Sequence, residues 1–145
     1  MILRLRGKMG SLPAKDYYHV QVAQMKRPVV LMVDDDQQVL ETLRYILGDS
    51  YETVLARSGF EAVSIVRNQP IDIVLMDLSL PGMSGLEALK LIKEHDSRVG
   101  VLMLSASDSA EQAVSALRLG AYDYLTKPFD NDKLIATLER FTEGL

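Results

Sequence analysis

The sequence predicts an α/β fold, a doubly wound five-stranded parallel sheet with helices on both faces. Three observations predict it. Short apolar runs of strand length alternate five times with segments of helical periodicity. The runs are almost free of polar residues, as strands buried on both faces must be. Several of them end abruptly in a charged or hydroxyl-bearing residue, which places polar groups along one edge of the sheet.

The first strand is Val29 to Val33, followed by Asp34-Asp35-Asp36. Val39, Leu40, Leu43, Ile46 and Leu47 then recur at helical spacing, and Gly48 ends the run. Tyr51 to Leu55 is a short strand whose Glu52 and Thr53 suit a sheet edge. Ser58 caps a helix that carries Phe60, Val63 and Val66 and closes at Asn68-Gln69-Pro70. The run Ile71 to Met76 is the third strand, with Asp77 just past its last residue. Ser84 opens a helix with Leu86, Leu89 and Ile92 on one face. Val99 to Leu104 is the fourth strand and ends in Ser105. A helix from Asp108 or Ser109 carries Ala113, Val114 and Leu117, and Gly120 ends it. The fifth strand, Tyr122 to Thr126, leads through Lys127-Pro128 to a last helix with Leu134, Ile135, Leu138 and Phe141 inward. Right-handed crossovers between parallel strands are the rule. The apolar first strand belongs in the centre and the second at an edge, so the order 2-1-3-4-5, one of the two common doubly wound orders, fits.

Composition bounds the function classes. The 145 residues suffice for one core, with 48% apolar and 25% charged residues. There is no cysteine, so disulfides and thiol chemistry are excluded. No stretch reaches the ~18 apolar residues of a membrane span, and Arg4, Arg6 and Lys8 interrupt the amino terminus, so a cytoplasmic protein is expected. The net charge of −4 is unevenly spread. Residues 1–27 hold six basic residues against Asp16 alone, while residues 28–145 hold ten basic and nineteen acidic ones. Nucleic-acid binding by the body is therefore not expected. Residues 1–27 read as a basic extension, added or mis-started, with Met25-Lys26-Arg27 resembling a natural start.

The strand ends carry the chemistry. In a sheet of this order the crevice lies at the carboxyl edge between the strands ending in Asp34 and Asp77. Asp34-Asp35-Asp36 read alone is as good a solvated turn as a metal site, and Asp36 suits a helix cap. Asp77 on the neighbouring strand changes the balance, because converging carboxylates repel unless a cation neutralises them. Oxygen-only ligands with open coordination suit Mg²⁺. Asp77 reads either as a further ligand or as a nucleophile that attacks phosphorus to give an acyl phosphate. Lys127, held extended by Pro128, brings an ammonium to the same edge, and Ser105 brings a donor for phosphoryl oxygens. Read alone, Lys127 is a surface lysine and Ser105 one of several capping hydroxyls.

Four stretches together carry a family resemblance: Val30 to Asp36, Ile73 to Gly85, Leu102 to Ala106 and Gly120 to Phe129. From Pro28 to Phe141 the chain resembles the receiver domain of bacterial two-component response regulators. In pattern it is most similar to the nitrogen-regulator class. The resemblance implies a flavodoxin-like receiver fold over residues 28–145. It implies a phosphorylation-activated signalling module, not an enzyme, that takes a phosphoryl group from a histidine kinase or phosphotransfer protein onto Asp77. Asp35 and Asp77 would ligate Mg²⁺ directly, Asp34 largely through water, and the Ser79 backbone carbonyl would complete the protein ligands. Lys127 would pair with the phosphoryl group, Ser105 would close over it, and Tyr124 would change rotamer as Ser105 moves. Lys127–Pro128 would be a cis peptide. Ser79 and Ser107 fall where the family tunes phosphoryl lifetime. Partner binding, an output domain or dimer formation is expected on the face formed by the fourth helix, fifth strand and fifth helix.

The rival reading is a Mg²⁺-dependent phosphatase of the haloacid-dehalogenase type with an Asp nucleophile. Asp34 and Asp36 match its Asp-any-Asp motif, but Gln38 stands where that motif has Thr or Val, and no late acidic pair follows. A receiver that only docks partners is disfavoured by intact Asp34, Asp35, Asp77, Ser105 and Lys127. His19 and His95 lack the flanking of a phosphodonor histidine.

Overall fold

A computed structural model describes residues 27–145, and the expectations for the leader and His19 lie outside them. The chain runs β1 (Val29–Val33), α1 (Gln37–Leu47), a 3₁₀ turn (Gly48–Ser50), β2 (Glu52–Ala56), α2 (Gly59–Asn68), β3 (Ile73–Asp77), α3 (Gly85–His95), β4 (Gly100–Ser105), α4 (Ala110–Arg118), β5 (Asp123–Thr126) and α5 (Asn131–Thr142). The strands form one parallel sheet in the order β2-β1-β3-β4-β5, as expected.

Period-two alternation along each strand sends alternate residues to opposite faces. Val30 and Met32 of β1, with Ile73 and Leu75 of β3, meet Leu40, Leu43 and Leu47 of α1 and Leu134 and Leu138 of α5. Leu31 and Val33, with Val74 and Met76, meet Ala62, Val63 and Val66 of α2, Ala88, Leu89 and Ile92 of α3, and Ala116 of α4. Two helices cover one face and three the other.

The helix starts follow their caps. Asp36, Ser58, Ser84, Ser109 and Asp130 each accept a backbone N–H from the first turn of the helix that follows. Glu61 adds to the Ser58 cap by accepting the Arg57 N–H at 3.2 Å. At the opposite end of α3, Lys93 Nζ donates to the carbonyls of Ser97 and Val99 at 2.7 and 2.8 Å and so pins the turn into β4.

The apolar stripes of two helices are only partly covered. Phe60 is 63% exposed, and α2 buries Gly59, Ala62, Val63 and Val66 instead. Val114 and Leu117 are also exposed, at 45% and 49%, and α4 buries only Ala116. In α5 the buried polar residue is Thr137, whose hydroxyl donates to the Lys133 carbonyl at 2.8 Å. Strand boundaries also shift by one or two residues, and Asp77 is the last residue of β3, not the first beyond it.

Two glycines allow close approach. A Cβ on Gly85 would overlap the Asp77 carbonyl oxygen and lie 2.8 Å from the Leu78 Cα, so the start of α3 rests directly on the end of β3. A Cβ on Gly100 would lie 2.5 Å from the Phe141 ring, which also meets Tyr122 edge-on at a centroid separation of 5.2 Å.

Candidate functional site

The register of the sheet brings the predicted residues together. Val33 of β1 pairs with Met76 of β3, so Asp34 and Asp77 leave adjacent strands side by side. Asp77 pairs with Leu104, and Ser105 pairs with Thr126, the residue before Lys127. The Leu78 N–H donates to the Leu104 carbonyl at 3.1 Å and the Lys127 N–H to the Ser105 carbonyl at 2.6 Å, which extends the ladder into the loops. The Lys127–Pro128 peptide is cis, as expected.

Asp34, Asp35 and Asp77 each offer a carboxylate oxygen within 4.8 Å of the others. Asp34 and Asp77 are buried, while Asp35 is open to solvent. Lys127 Nζ donates to Asp34 Oδ2 at 3.3 Å and lies 3.6 Å from Asp77 Oδ1. The other Asp34 oxygen accepts the Asp36 N–H at 3.0 Å. Burial raises the Asp34 pKa above its ordinary value. The Asp36 N–H opposes the rise, Asp77 adds to it, and Lys127 counters it. Three carboxylates against one ammonium leave an excess of two negative charges when all are ionised. A hard divalent cation with oxygen ligands fits that donor set and that charge. Ser79 lies exposed in the loop between Asp77 and α3, two residues beyond Asp77.

Asp36 is not part of this group. Its Oδ1 accepts the Gln38 N–H at 2.9 Å and so caps α1. Arg57, which sequence reasoning missed, donates from Nη2 to the Asp35 carbonyl at 2.9 Å. Its position directly after β2, at the same sheet edge, was the available signal. Ser105 is buried, and its Oγ accepts the Ser107 N–H at 3.0 Å. The Tyr124 ring packs partly buried against the core, and its hydroxyl donates to the Ser107 carbonyl at 2.9 Å. Ser105 and Tyr124 therefore share a neighbour and do not merely lie on adjacent strands.

Comparisons with known proteins point to one family. The response regulator receiver domain model matches residues 30–139. The transcriptional regulatory protein ZraR of Escherichia coli K12 is 45% identical over 112 residues, covering 77% of this chain and 25% of the relative. The DNA-binding transcriptional regulator NtrC of the same organism is 37% identical over 117 residues, covering 80% of this chain and 25% of the relative. The chain thus spans about a quarter of the length of these curated relatives. Among solved structures, the CheX–CheY–BeF3–Mg+2 complex from Borrelia burgdorferi matches with a TM-score of 0.77 at 29% identity, covering 83% of this chain and 92% of that one.

Proposed function

Since the chain belongs to the response regulator receiver domain family, a phosphoaccepting signalling module, we propose that Asp77 is its acceptor carboxylate. The observation that carries this is the placement of Asp77 Oδ1 3.6 Å from Lys127 Nζ within a group of three carboxylates. An Asp77 oxygen attacks phosphorus. The new bond is Oδ–P, the bond broken is that from phosphorus to the donor, and the donor leaves with the electron pair. From a histidine kinase or phosphotransfer protein the broken bond is P–N. The protein has little covalent work beyond this. Lys127 lies where it can meet the incoming oxyanion charge, and Ser105 retains a hydroxyl proton to donate.

Asp34, Asp35, Asp77 and the Ser79 backbone carbonyl are the groups that would hold Mg²⁺. When bound, Mg²⁺ supplies positive charge against the phosphoryl oxygens. The raised pKa of Asp34 and the crowding of three carboxylates support a site made for a cation. The solved relative with BeF3 and Mg+2 supports the same choice of ion. In this reading the chain is a regulator, catalysing only its own aspartyl phosphorylation and dephosphorylation. The phosphatase alternative is not favoured, because the second residue of its motif, Asp36, is committed to capping α1.

The surface expected to respond is α4–β5–α5. Val114, Leu117 and Tyr122 are exposed there, apolar groups that a partner would cover. An output domain, a partner protein or a second copy would engage it. Residues 28–145 form the receiver and residues 1–27 a basic extension outside it, in keeping with a family match that begins at residue 30. No helix among the described residues is long and apolar enough to cross a membrane.

The test is intact mass after incubation with acetyl phosphate. The expected result is one added phosphoryl group, stable in acid and labile in base, absent from Asp77→Asn and from wild type in excess chelator. Equal labelling of Asp77→Asn would overturn the assignment.

A further inference from the structure

The loop between β4 and α4 carries serines at 105, 107 and 109, and each accepts a backbone N–H further along the chain. Ser105 Oγ accepts from Ser107, Ser107 Oγ from Ser109 at 3.2 Å, and Ser109 Oγ from Gln112 at 3.3 Å. Three side-chain oxygens in series thus connect the buried Ser105 to the first turn of α4. All three bonds are at least partly buried, where water competes less for the donors.

Ser107 is the branch point. Its N–H is held by Ser105, its carbonyl by the Tyr124 hydroxyl, and its own hydroxyl oxygen by the Ser109 N–H. Ser109 in turn is the N-cap of α4. A displacement of Ser105 therefore has one input into Ser107 and two outputs, one toward β5 and one toward α4. Beside the peptide links through Asp108, the second output runs through the Ser107 Oγ. At the far end of the series, Gln112 Oε1 is buried with no hydrogen-bond partner among the described residues.

We propose that Ser107 is a positioning residue that divides the movement of Ser105 between Tyr124 and the amino end of α4, with its hydroxyl oxygen as the arm to α4. The inference rests on the phosphoacceptor reading above. It goes beyond that reading in assigning a separate route to the helix.

The test compares full-length wild type, Ser107→Ala and Ser107→Thr. Alanine removes only the arm to Ser109 and keeps both backbone bonds of residue 107, and threonine keeps the acceptor. Phosphoryl uptake from acetyl phosphate is read by mass, amide exchange by NMR across residues 109–113, and the Tyr124 environment by its ring resonances. In the resting state Ser107→Ala should speed exchange of the Ser109 amide roughly tenfold, the scale of one lost hydrogen bond. On phosphorylation all three proteins should gain mass and, compared at equal phosphoryl occupancy read by mass, shift the Tyr124 resonances. The change in α4 exchange should fall at least fivefold in Ser107→Ala and return in Ser107→Thr. A wild-type α4 response in Ser107→Ala, or loss of the Tyr124 response along with it, would overturn the proposal. Absence of mass gain in wild type would overturn the phosphoacceptor reading itself, and this proposal with it.

Discussion

Gly85→Ala tests how closely the acceptor is tied to the helix behind it. The added Cβ would overlap the Asp77 carbonyl and stand 2.8 Å from the Leu78 Cα. Ordinary carbon contacts begin near ~3.4 Å, so the backbones must separate by roughly 0.6 Å or more. Both partners are backbone, so no rotamer change can absorb the clash. Overpacking of this kind costs about 1–3 kcal/mol. The Gly85 N–H also donates to the Leu78 carbonyl at 3.1 Å, and weakening that bond adds about 1 kcal/mol. The reduced freedom of the unfolded chain offsets about 0.4–1 kcal/mol. The net expectation is a loss of about 2–3 kcal/mol, or about 8–15 °C in Tm for a domain of this size. Because the strain falls on Asp77 and Leu78, phosphoryl uptake should slow as well. Gly48→Ala is the control: it has a φ of +58° and nothing within 4 Å of an added Cβ, so it costs conformational energy without touching the site. Thermal melts and the rate of mass gain with acetyl phosphate decide the matter. If Gly85→Ala melts like wild type and takes up phosphate at the same rate, the contact between α3 and β3 does not position Asp77.

Two further predictions follow from the ionisable groups. The raised pKa of Asp34 means the folded state holds its proton more tightly than the unfolded chain does. In excess chelator, the stability this proton confers is complete below the ordinary carboxylate value of 3.8 and is lost as pH rises through the raised value. The stability of Asp34→Asn relative to wild type should therefore increase across that window, and a pH-independent difference in urea melts would refute the reasoning. Lys93→Met should lose about 1–2 kcal/mol in denaturant melts, because two carbonyls lose a charged donor while the apolar stem is kept. Its phosphoryl uptake should match wild type, since Lys93 acts at the turn into β4 and not at the acidic group.

The architecture was legible because the signals for it are local. Apolar runs buried on both faces, start residues at four of the five helices and terminal glycines each specify their own segment. The convergence of Asp34, Asp77, Ser105 and Lys127 followed once the strand order was fixed, since a parallel sheet gathers its carboxyl ends at one edge. The exposure of some apolar residues was not legible. Phe60, Val114 and Leu117 sit at helical spacing yet stand exposed, because periodicity reports only that a helix has an apolar stripe. It does not say whether the domain itself covers that stripe. The serine series was not legible, because its donors are backbone N–H groups, whose positions leave no mark in residue type, whereas Arg57 offered only its place directly after β2. The three serines were noticed only as interchangeable caps.

The Phe141 ring occupies the space where Gly100 would otherwise carry a side chain. The two positions therefore share one volume across the interface between β4 and α5. During sequence drift neither is free alone. A relative that acquires a side chain at position 100 should carry a smaller residue at 141, and the substitution at 141 should be accepted first, because a cavity is tolerated more readily than a Cβ driven into the aromatic ring. Recombining the last helix between distant relatives should fail unless residue 100 travels with it.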